Sequence, residues 1–293
     1  MVSVIVPTYN RGGSIVGTLD SILLQRYRPI EIVVVDDGST DNTQRVTYQW
    51  AQHIDDQELH FRYLRQENNG APSARNSGMR ASTGQYLQFL DSDDTIEPEK
   101  ILQQVHALKR CPLNLAVCDF AYVNGSGAAA KVSIVRNSGD LHSRLVYGWS
   151  VFVSTPLMSR RSVFGKAWWE ESLVRSQDMD FMIKVFCLND SYVYIPEAWC
   201  YYNQHSGPRI SDIYRSTDFP YFSVIVSLVK FGLVSYTHIS RSGRQFLFKN
   251  IRYLSRNLAR SIRERSILSA KKMYVAMLPR DIRLRLRKIR GKA

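Results

Sequence analysis

Asp91-Ser92-Asp93-Asp94 places three carboxylates within four residues, directly after the apolar run Tyr86-Leu87-Gln88-Phe89-Leu90. A strand that delivers three negative charges to one point calls for a positive partner. Hard cations such as Mg2+ and Mn2+ prefer carboxylate oxygens and keep coordination positions open for a substrate phosphate. The tetrad therefore points to chemistry on a phosphorylated small molecule. A second acidic pair, Asp36-Asp37, follows the apolar run Ile30 to Val35 and precedes Gly38-Ser39. One acid there could cap a helix, a role Ser39 already fits. Two exceed what a cap needs and suit the N–H of a base or a sugar hydroxyl. Pro7-Thr8-Tyr9-Asn10 closes the first β-branched run. A base or ribose could rest there on the backbone and the Tyr9 ring, the plainer alternative being a turn with a packed tyrosine. The first run is not followed by GxGxxG, and the chain has no GxxxxGK[ST]. With neither phosphate cradle present, phosphate recognition falls to a metal.

The surrounding pattern says what must position these acids. Val2 to Val6 reads as a buried strand, Ser14 to Leu24 as a helix on the spacing of Ile15, Leu19, Ile22 and Leu23, and Ile30 to Val35 as a second strand. Ser39 to Asp41 supply N-cap residues for a helix to about Ile54. Leu59 to Leu64 follows as strand three, 72–82 as a helix of small residues, Gln85 to Leu90 as strand four, Pro98 to Leu108 as a helix and Leu113 to Tyr122 as strand five. Strands alternating with helices imply parallel βαβ units, whose ligands collect beyond the carboxyl ends of the strands where the strand order reverses. Both acidic clusters lie at such ends, so one crevice is expected to hold them. Residues 123–150, rich in Gly, Ala and Ser, read as an excursion from the sheet. Order resumes with Leu157-Met158, a helix from about Ser176 to Leu188 and a strand at Tyr192 to Ile195, and the chain is mainly helical from about residue 215.

Composition narrows the classes. With 293 residues, 44% hydrophobic and 22% charged, the chain has a globular profile and enough length for a large core. Its four cysteines lack metal-type CxxC spacing and read as reduced. The N-terminus has no basic leader, and no apolar stretch reaches the roughly 18 residues of a membrane span. A cytoplasmic location follows as an expectation. The net charge of +13 is uneven: from Lys230 onward there are 18 Lys and Arg against two acids, while residues 1–229 carry a small acidic excess.

Four segments, VSVIVPTYN at 2–10, EIVVVDDGSTDNT at 31–43, NNGAPSARNSGMRASTGQYLQFLDSDD at 68–94 and PEK at 98–100, resemble in order and spacing the nucleotide-binding half of a family 2 glycosyltransferase. The resemblance implies the GT-A fold: an α/β, Rossmann-like, mostly parallel central sheet with helices on both faces. Residues 1–214 would form the catalytic domain, with a nucleotide-sugar half at 1–122 and an acceptor half at 123–214. Residues 215–293 would form a basic helical extension. It implies a nucleotide-sugar donor, most often a UDP-sugar, and transfer with inversion at the anomeric carbon.

Carried over by motif, Pro7 and Tyr9 would flank the nucleobase and Asp37 would hydrogen-bond it. Arg75 and Asn76 would lie near the donor, or else pack and cap their helix. Asp91 would face the ribose or metal, Asp93 would ligate Mn2+ or Mg2+, and Asp94 would cap the following segment. Trp169-Glu170-Glu171-Ser172-Leu173 resembles the family's FDExL segment, and Asp178 in Ser176-Gln177-Asp178-Met179-Asp180 aligns with the general base. Gln177 departs from the usual Glu. Acids in a first helical turn are favoured by the helix dipole regardless of chemistry, a reading that suits Asp180 better than Asp178. His205 sits where related enzymes carry a loop that closes on the diphosphate, as metal ligand or phosphate donor unless it is simply solvated. Arg209 could contact phosphate on similar grounds.

In the tail, Arg and Lys interleave with Phe246, Phe248, Ile251, Leu254 and Leu258 at near-helical spacing. Such a helix suits an anionic membrane interface, which is preferred to nucleic acid; a helix packed on the catalytic domain is the alternative. The combined expectation is single addition of a sugar to a lipid-linked or polysaccharide acceptor by a peripheral enzyme at the inner face of the plasma membrane. QxxRW and membrane spans, typical of processive synthases, are missing from the sequence. The competing readings are a nucleotidyltransferase on a related sheet, for which Arg11-Gly12-Gly13 is the one candidate signature, and a non-catalytic membrane- or nucleic-acid-binding protein.

Overall fold

The β-branched runs form strands because both their faces are covered. In the computed structural model β1 (Val2–Thr8) and β2 (Ile30–Asp36) are buried at every position, as expected of parallel strands under helices. The structure describes residues 1–111, 113–123, 129–132, 153–189, 191–203, 220–235 and 237–264. The first half continues through β3 (Leu59–Arg65), β4 (Tyr86–Phe89) and β5 (Thr95–Ile96), with helices α1 (Ile15–Leu23), α2 (Thr43–Ala51), α3 (Ala71–Ala81) and α4 (Lys100–Arg110). The second half contributes β6 (Leu115–Val123), β7 (Ala129–Val132), β8 (Pro156–Ser159), the single turn α5 (Arg160–Val163), α6 (Gln177–Leu188), β9 (Val193–Asn203), α7 (Pro220–Val234) and α8 (Arg241–Glu264).

These strands make one sheet in the order β3-β2-β1-β4-β8-β6-β9-β5, with β7 paired to β6. The expected α/β architecture is present, with an unbroken parallel run across β3, β2, β1 and β4. Beyond β4 it is mixed: β8 runs antiparallel to both neighbours, β9 is parallel to β6, and β5 is antiparallel to β9. The "mostly parallel" expectation therefore holds for β1 to β4, and the sheet as a whole is mixed. The reason is visible in β8 and β5, four and two residues long, which are too short and weakly patterned to read from sequence and which insert against the parallel direction. Within the stretch expected to leave the sheet, Ala129–Val132 pairs with β6 as β7; 124–128 and 133–150 lie outside the described residues.

One hydrophobic core runs from β1 through Trp169, Phe181 and Phe186 to Leu228, Phe246, Leu254 and Leu258. Helices α7 and α8 pack on each other and on α6, so the C-terminal helices join this core as far as they are described. The expected boundary at 214/215 falls outside the described residues. Three of the four cysteines are buried, and all four are free thiols.

Helix α3 lies close on β1 and β2 because Gly78 has no side chain. A Cβ there would come within 2.3 Å of Ile5 Cγ2 and 3.3 Å of Val35 Cγ2. Gly78→Ala gains about 1 kcal/mol of helix propensity but overpacks a stiff strand at a cost of about 1–3 kcal/mol. We expect a net loss of thermal stability, read as a lower Tm; an unchanged or higher Tm would show that α3 can lift without cost.

Candidate functional site

Three loops leave the carboxyl ends of adjacent parallel strands: 9–13 after β1, 37–42 after β2 and 90–94 after β4. Strand order reverses at β1, so the crevice between β1 and β4 is the switch point at which ligands collect in such sheets. The first two loops are laced together. Asn10, with φ of +51°, accepts at Oδ1 from the Thr40 N–H (2.8 Å), while its own N–H donates to Ser39 Oγ (2.9 Å). The Arg11 N–H donates to Thr43 Oγ1 (2.8 Å). Asp36 is fully buried and accepts from the Ser39 N–H and the Tyr63 hydroxyl. The adjacent Asp37 accepts from Gln66 Nε2 (2.8 Å), the Asn69 N–H (2.9 Å) and the Gly70 N–H (2.7 Å). Asp37 thus shapes the 66–70 loop with most of its acceptor capacity. Pro7 is buried inside β1, and Tyr9 stands out with 46% of its surface exposed.

Each of the three crowded charges at 91–94 has its own answer within the protein. Asp91 pairs with Arg75 at 2.8 Å. Asp93 pairs with Arg11 at 3.4 Å, across the switch point. Asp94 is buried; it accepts from the Asn203 N–H (3.2 Å), with Ser154 Oγ at 3.4 Å. Burial, and then the charges of Asp91 and Asp93, push its carboxyl well above the usual carboxylate range, toward the neutral form. Asp94 is therefore not the expected cap of the following segment. It fastens the acid loop to the end of β9, helped by Asn203 Nδ2, which donates to the Asp93 carbonyl (2.8 Å).

Arg75 is the hub. Its side chain is 6% exposed; besides Asp91 it reaches Gln177 Oε1 (3.2 Å) and Asp178 Oδ1 (3.9 Å). Its guanidinium lies 4.4 Å over the Trp169 ring. Trp169 in turn stacks on Phe181 at 4.2 Å, and Phe89 at the end of β4 meets both rings edge-on. Burial works against the guanidinium charge, but Asp91 and Asp178 outweigh it and hold Arg75 above its usual pKa. Asn76, next in sequence, points away from the crevice: both its amide protons go to the Trp169 carbonyl (2.9 Å) and Glu171 (2.8 Å), and its Oδ1 accepts from the Trp169 N–H. These bonds seat the 169–171 segment under Arg75, the packing role weighed for Asn76 beside a donor contact.

Asp178 occupies the second position of α6, after Ser176 in the left-handed region at φ of +58°. Gln177 holds this turn by donating from Nε2 to the carbonyls of Leu173 (2.9 Å) and Val174 (3.2 Å). The Asp178 side chain is 43% exposed at the crevice wall. Loss of hydration raises its pKa above the ordinary carboxylate value; Arg75 pulls it down and Asp91 pushes it up. Asp180, two residues on, is fully buried and paired with Lys184 at 2.6 Å. It belongs to the core rather than to an exposed helix start.

Several contributors carry no local signal in the sequence: Arg11 reads there only as part of Arg11-Gly12-Gly13, and nothing marks the contacts of Asn203 and Trp169. Among the described residues, the buried Thr8 Oγ1 at the end of β1 and the buried Arg75 Nε have no hydrogen-bond partner. Unsatisfied groups at a crevice are what a polar ligand would complete. His205 and Arg209 lie outside the described residues. Among the described residues no cluster of three or more His, Cys, Asp or Glu could form a preformed metal cage. Of the acid loop, the part-exposed Asp93 carboxylate is the group that could hold a divalent ion, as a single protein ligand.

The sequence matches Glycosyl transferase family 2 over residues 3–168, more than half of the chain. The chain belongs to this family. It is 26% identical over 222 residues to the amylovoran biosynthesis glycosyltransferase AmsB of Erwinia amylovora, covering 71% of this chain and 73% of AmsB. Other curated relatives are longer: the chain spans 60% of one and 30%, 27% and 20% of three more. Its fold is similar to that of S. aureus TarS 1–349 in complex with UDP-GlcNAc, with a TM-score of 0.68 at 21% identity over 96% of this chain and 76% of TarS 1–349. It is also similar to the mannosyltransferase PcManGT of Pyrobaculum calidifontis in complex with GDP-Man and Mn2+, with a TM-score of 0.54 at 18% identity over 93% and 81% of the two chains. These likenesses establish a GT-A fold.

The charge around Asp178 predicts a pH profile. Arg75 lowers the Asp178 pKa, so Arg75→Met should raise it further. A protonated carboxyl cannot accept a proton, so the acidic limb of kcat/KM is expected to move to higher pH in the variant. A limb that stays in place, or moves down, would show that Arg75 does not set the charge of Asp178.

Proposed function

We propose that this protein transfers one sugar from a nucleotide-sugar, UDP-linked in the simplest case, to a hydroxyl of a lipid-linked or polysaccharide acceptor, with inversion. The observation that carries this reading is the bridge through Arg75, which joins Asp91 at the end of β4 to Asp178 at the start of α6. A donor-side carboxylate and a half-exposed carboxylate of raised pKa thereby face one crevice, the arrangement required when one group binds the donor and another deprotonates the acceptor. The nucleoside would rest against Pro7 and Tyr9, with the remaining acceptor site of Asp37 and the unpartnered Thr8 hydroxyl as its polar contacts. Arg75 holds Asp178 in place and favours its ionised form, the form that accepts the proton of the attacking hydroxyl. Mn2+ or Mg2+, when bound at Asp93, would offset the charge of the departing diphosphate. The family membership and the nucleotide-sugars bound by TarS and PcManGT support this reading, as does the Mn2+ bound by the latter. A nucleotidyltransferase is disfavoured because Arg11 is paired with Asp93 and its loop is pinned to 39–43.

Asp178→Asn should lower turnover by at least about a thousandfold, at the upper end of what a positioned base supplies, while UDP affinity by calorimetry is unchanged. Asp93→Ala should lose both turnover and the Mn2+-dependent part of UDP binding. Full activity in Asp178→Asn would remove the proposed base.

We further propose contact with an anionic membrane, by a different face from the one expected. Phe246, Leu254 and Leu258 are buried in the core, so the apolar side of α8 is already covered. What faces outward is Phe248 (61% exposed) among exposed Arg241, Lys249, Arg252 and Arg256, with Leu233 and Val234 (43% and 83%) exposed at the end of α7. No described helix is long and apolar enough to cross a membrane. A cationic stripe with a few apolar side chains fits peripheral attachment, each basic residue near the surface contributing about 1 kcal/mol. The protein is expected to float with vesicles containing anionic lipid and not with neutral ones, and Phe248→Ser with Lys249→Glu should abolish flotation. Equal flotation of the variant would exclude this face.

A further inference from the structure

We infer that Arg11 is a resident counter-ion of Asp93, and that it makes metal and diphosphate bind as a cooperative unit rather than in sequence. The inference rests on the reading that Asp93 takes the metal. The guanidinium lies 3.4 Å from Asp93 Oδ2, with the two side chains 29% and 21% exposed. A partly solvated pair of this kind is weak enough to be broken by a ligand, yet close enough for its charge to be felt at Asp93.

Arg11 cannot withdraw by moving its loop. Its N–H donates to Thr43 Oγ1 (2.8 Å), and its carbonyl accepts from the N–H groups of Ser14 (3.0 Å) and Ile15 (2.9 Å) at the start of α1. The same helix start is riveted to the acid loop: Ser14 Oγ donates to the Ser92 carbonyl (3.0 Å) and Thr18 Oγ1 to the Asp94 carbonyl (2.8 Å). The anchor of the guanidinium and the carboxylate it faces are therefore parts of one braced unit. A divalent ion arriving alone must displace or tolerate a cation whose backbone is pinned beside its ligand.

A diphosphate changes that balance. Its negative oxygens supply the ion with ligands and give the displaced guanidinium a new partner, so repulsion between the two cations is relieved only when nucleotide and metal are both present. By linkage, the nucleotide then strengthens metal binding and the metal strengthens nucleotide binding by the same factor. Removing the Arg11 charge should relieve the repulsion in advance and shrink that factor.

The test is Mn2+ binding followed by the EPR signal of the free ion, with and without UDP, in wild type, Arg11→Met, Arg11→Lys and Asp93→Asn. Without UDP, Arg11→Met should bind Mn2+ about tenfold more tightly than wild type, the order expected for deleting one unit charge a few ångströms from the site. The ratio of Mn2+ affinities with and without UDP should fall, while Arg11→Lys keeps the wild-type pattern. Unchanged or weaker Mn2+ binding by Arg11→Met in the absence of UDP overturns the inference. Unaltered Mn2+ binding by Asp93→Asn in the presence of UDP instead removes Asp93 as the metal ligand, and the inference falls with that reading. Thermal melts of each variant separate these outcomes from loss of fold.

Discussion

A buried guanidinium must have its charge answered locally, and at Arg75 the answer is supplied by Asp91, Gln177, Asp178 and the face of Trp169. These four partners come from three separate parts of the chain: the loop after β4, the segment before α6 and the first turn of α6. Leaving a buried cation without them would be far more costly than losing an exposed ion pair. The need to satisfy one side chain therefore fixes how the two halves of the molecule meet. It also sets the distance between the donor-side carboxylate and the proposed base.

The supporting layer is apolar and close-packed. Trp169, Phe181 and Phe89 form a stacked and edge-on trio beneath the guanidinium, and Asn76 clamps the backbone of Trp169 from both sides. The buried Lys100 gives a parallel case behind β4, where Gln88 and Gln104 accept its protons. In both places a long cation braces the sheet end from within.

The parallel strands and their helices were legible because apolar runs alternate with caps and helical spacing over the first hundred residues; α1, α3 and α4 lie within two residues of their expected limits. The site acids were legible because charges at strand ends have few structural uses. Three things were not. The mixed half of the sheet depends on β5 and β8, which have too few residues to show a period. The partners of the acid tetrad, Arg11 and Asn203, lie 82 and 110 residues from Asp93 in opposite directions along the chain, and pairwise contact across such distances leaves no local pattern. The covering of α8 stayed open between protein and membrane because periodicity identifies an apolar face without saying what covers it. The crowding of three carboxylates, read from sequence as a demand for a metal, is answered among the described residues by Arg75, by Arg11 and by burial that raises the Asp94 pKa. A divalent ion then has to be argued from the substrate's charge.

The central claim is that Arg75 and Asp91 form an interaction on which the site's architecture depends, and a double-mutant cycle measures it most directly. Unfolding free energies of wild type, Arg75→Met, Asp91→Asn and the double variant would be compared by denaturant titration without nucleotide or metal. The account predicts that the double variant loses less stability than the two single variants together, by on the order of 2 kcal/mol. Strict additivity would contradict it.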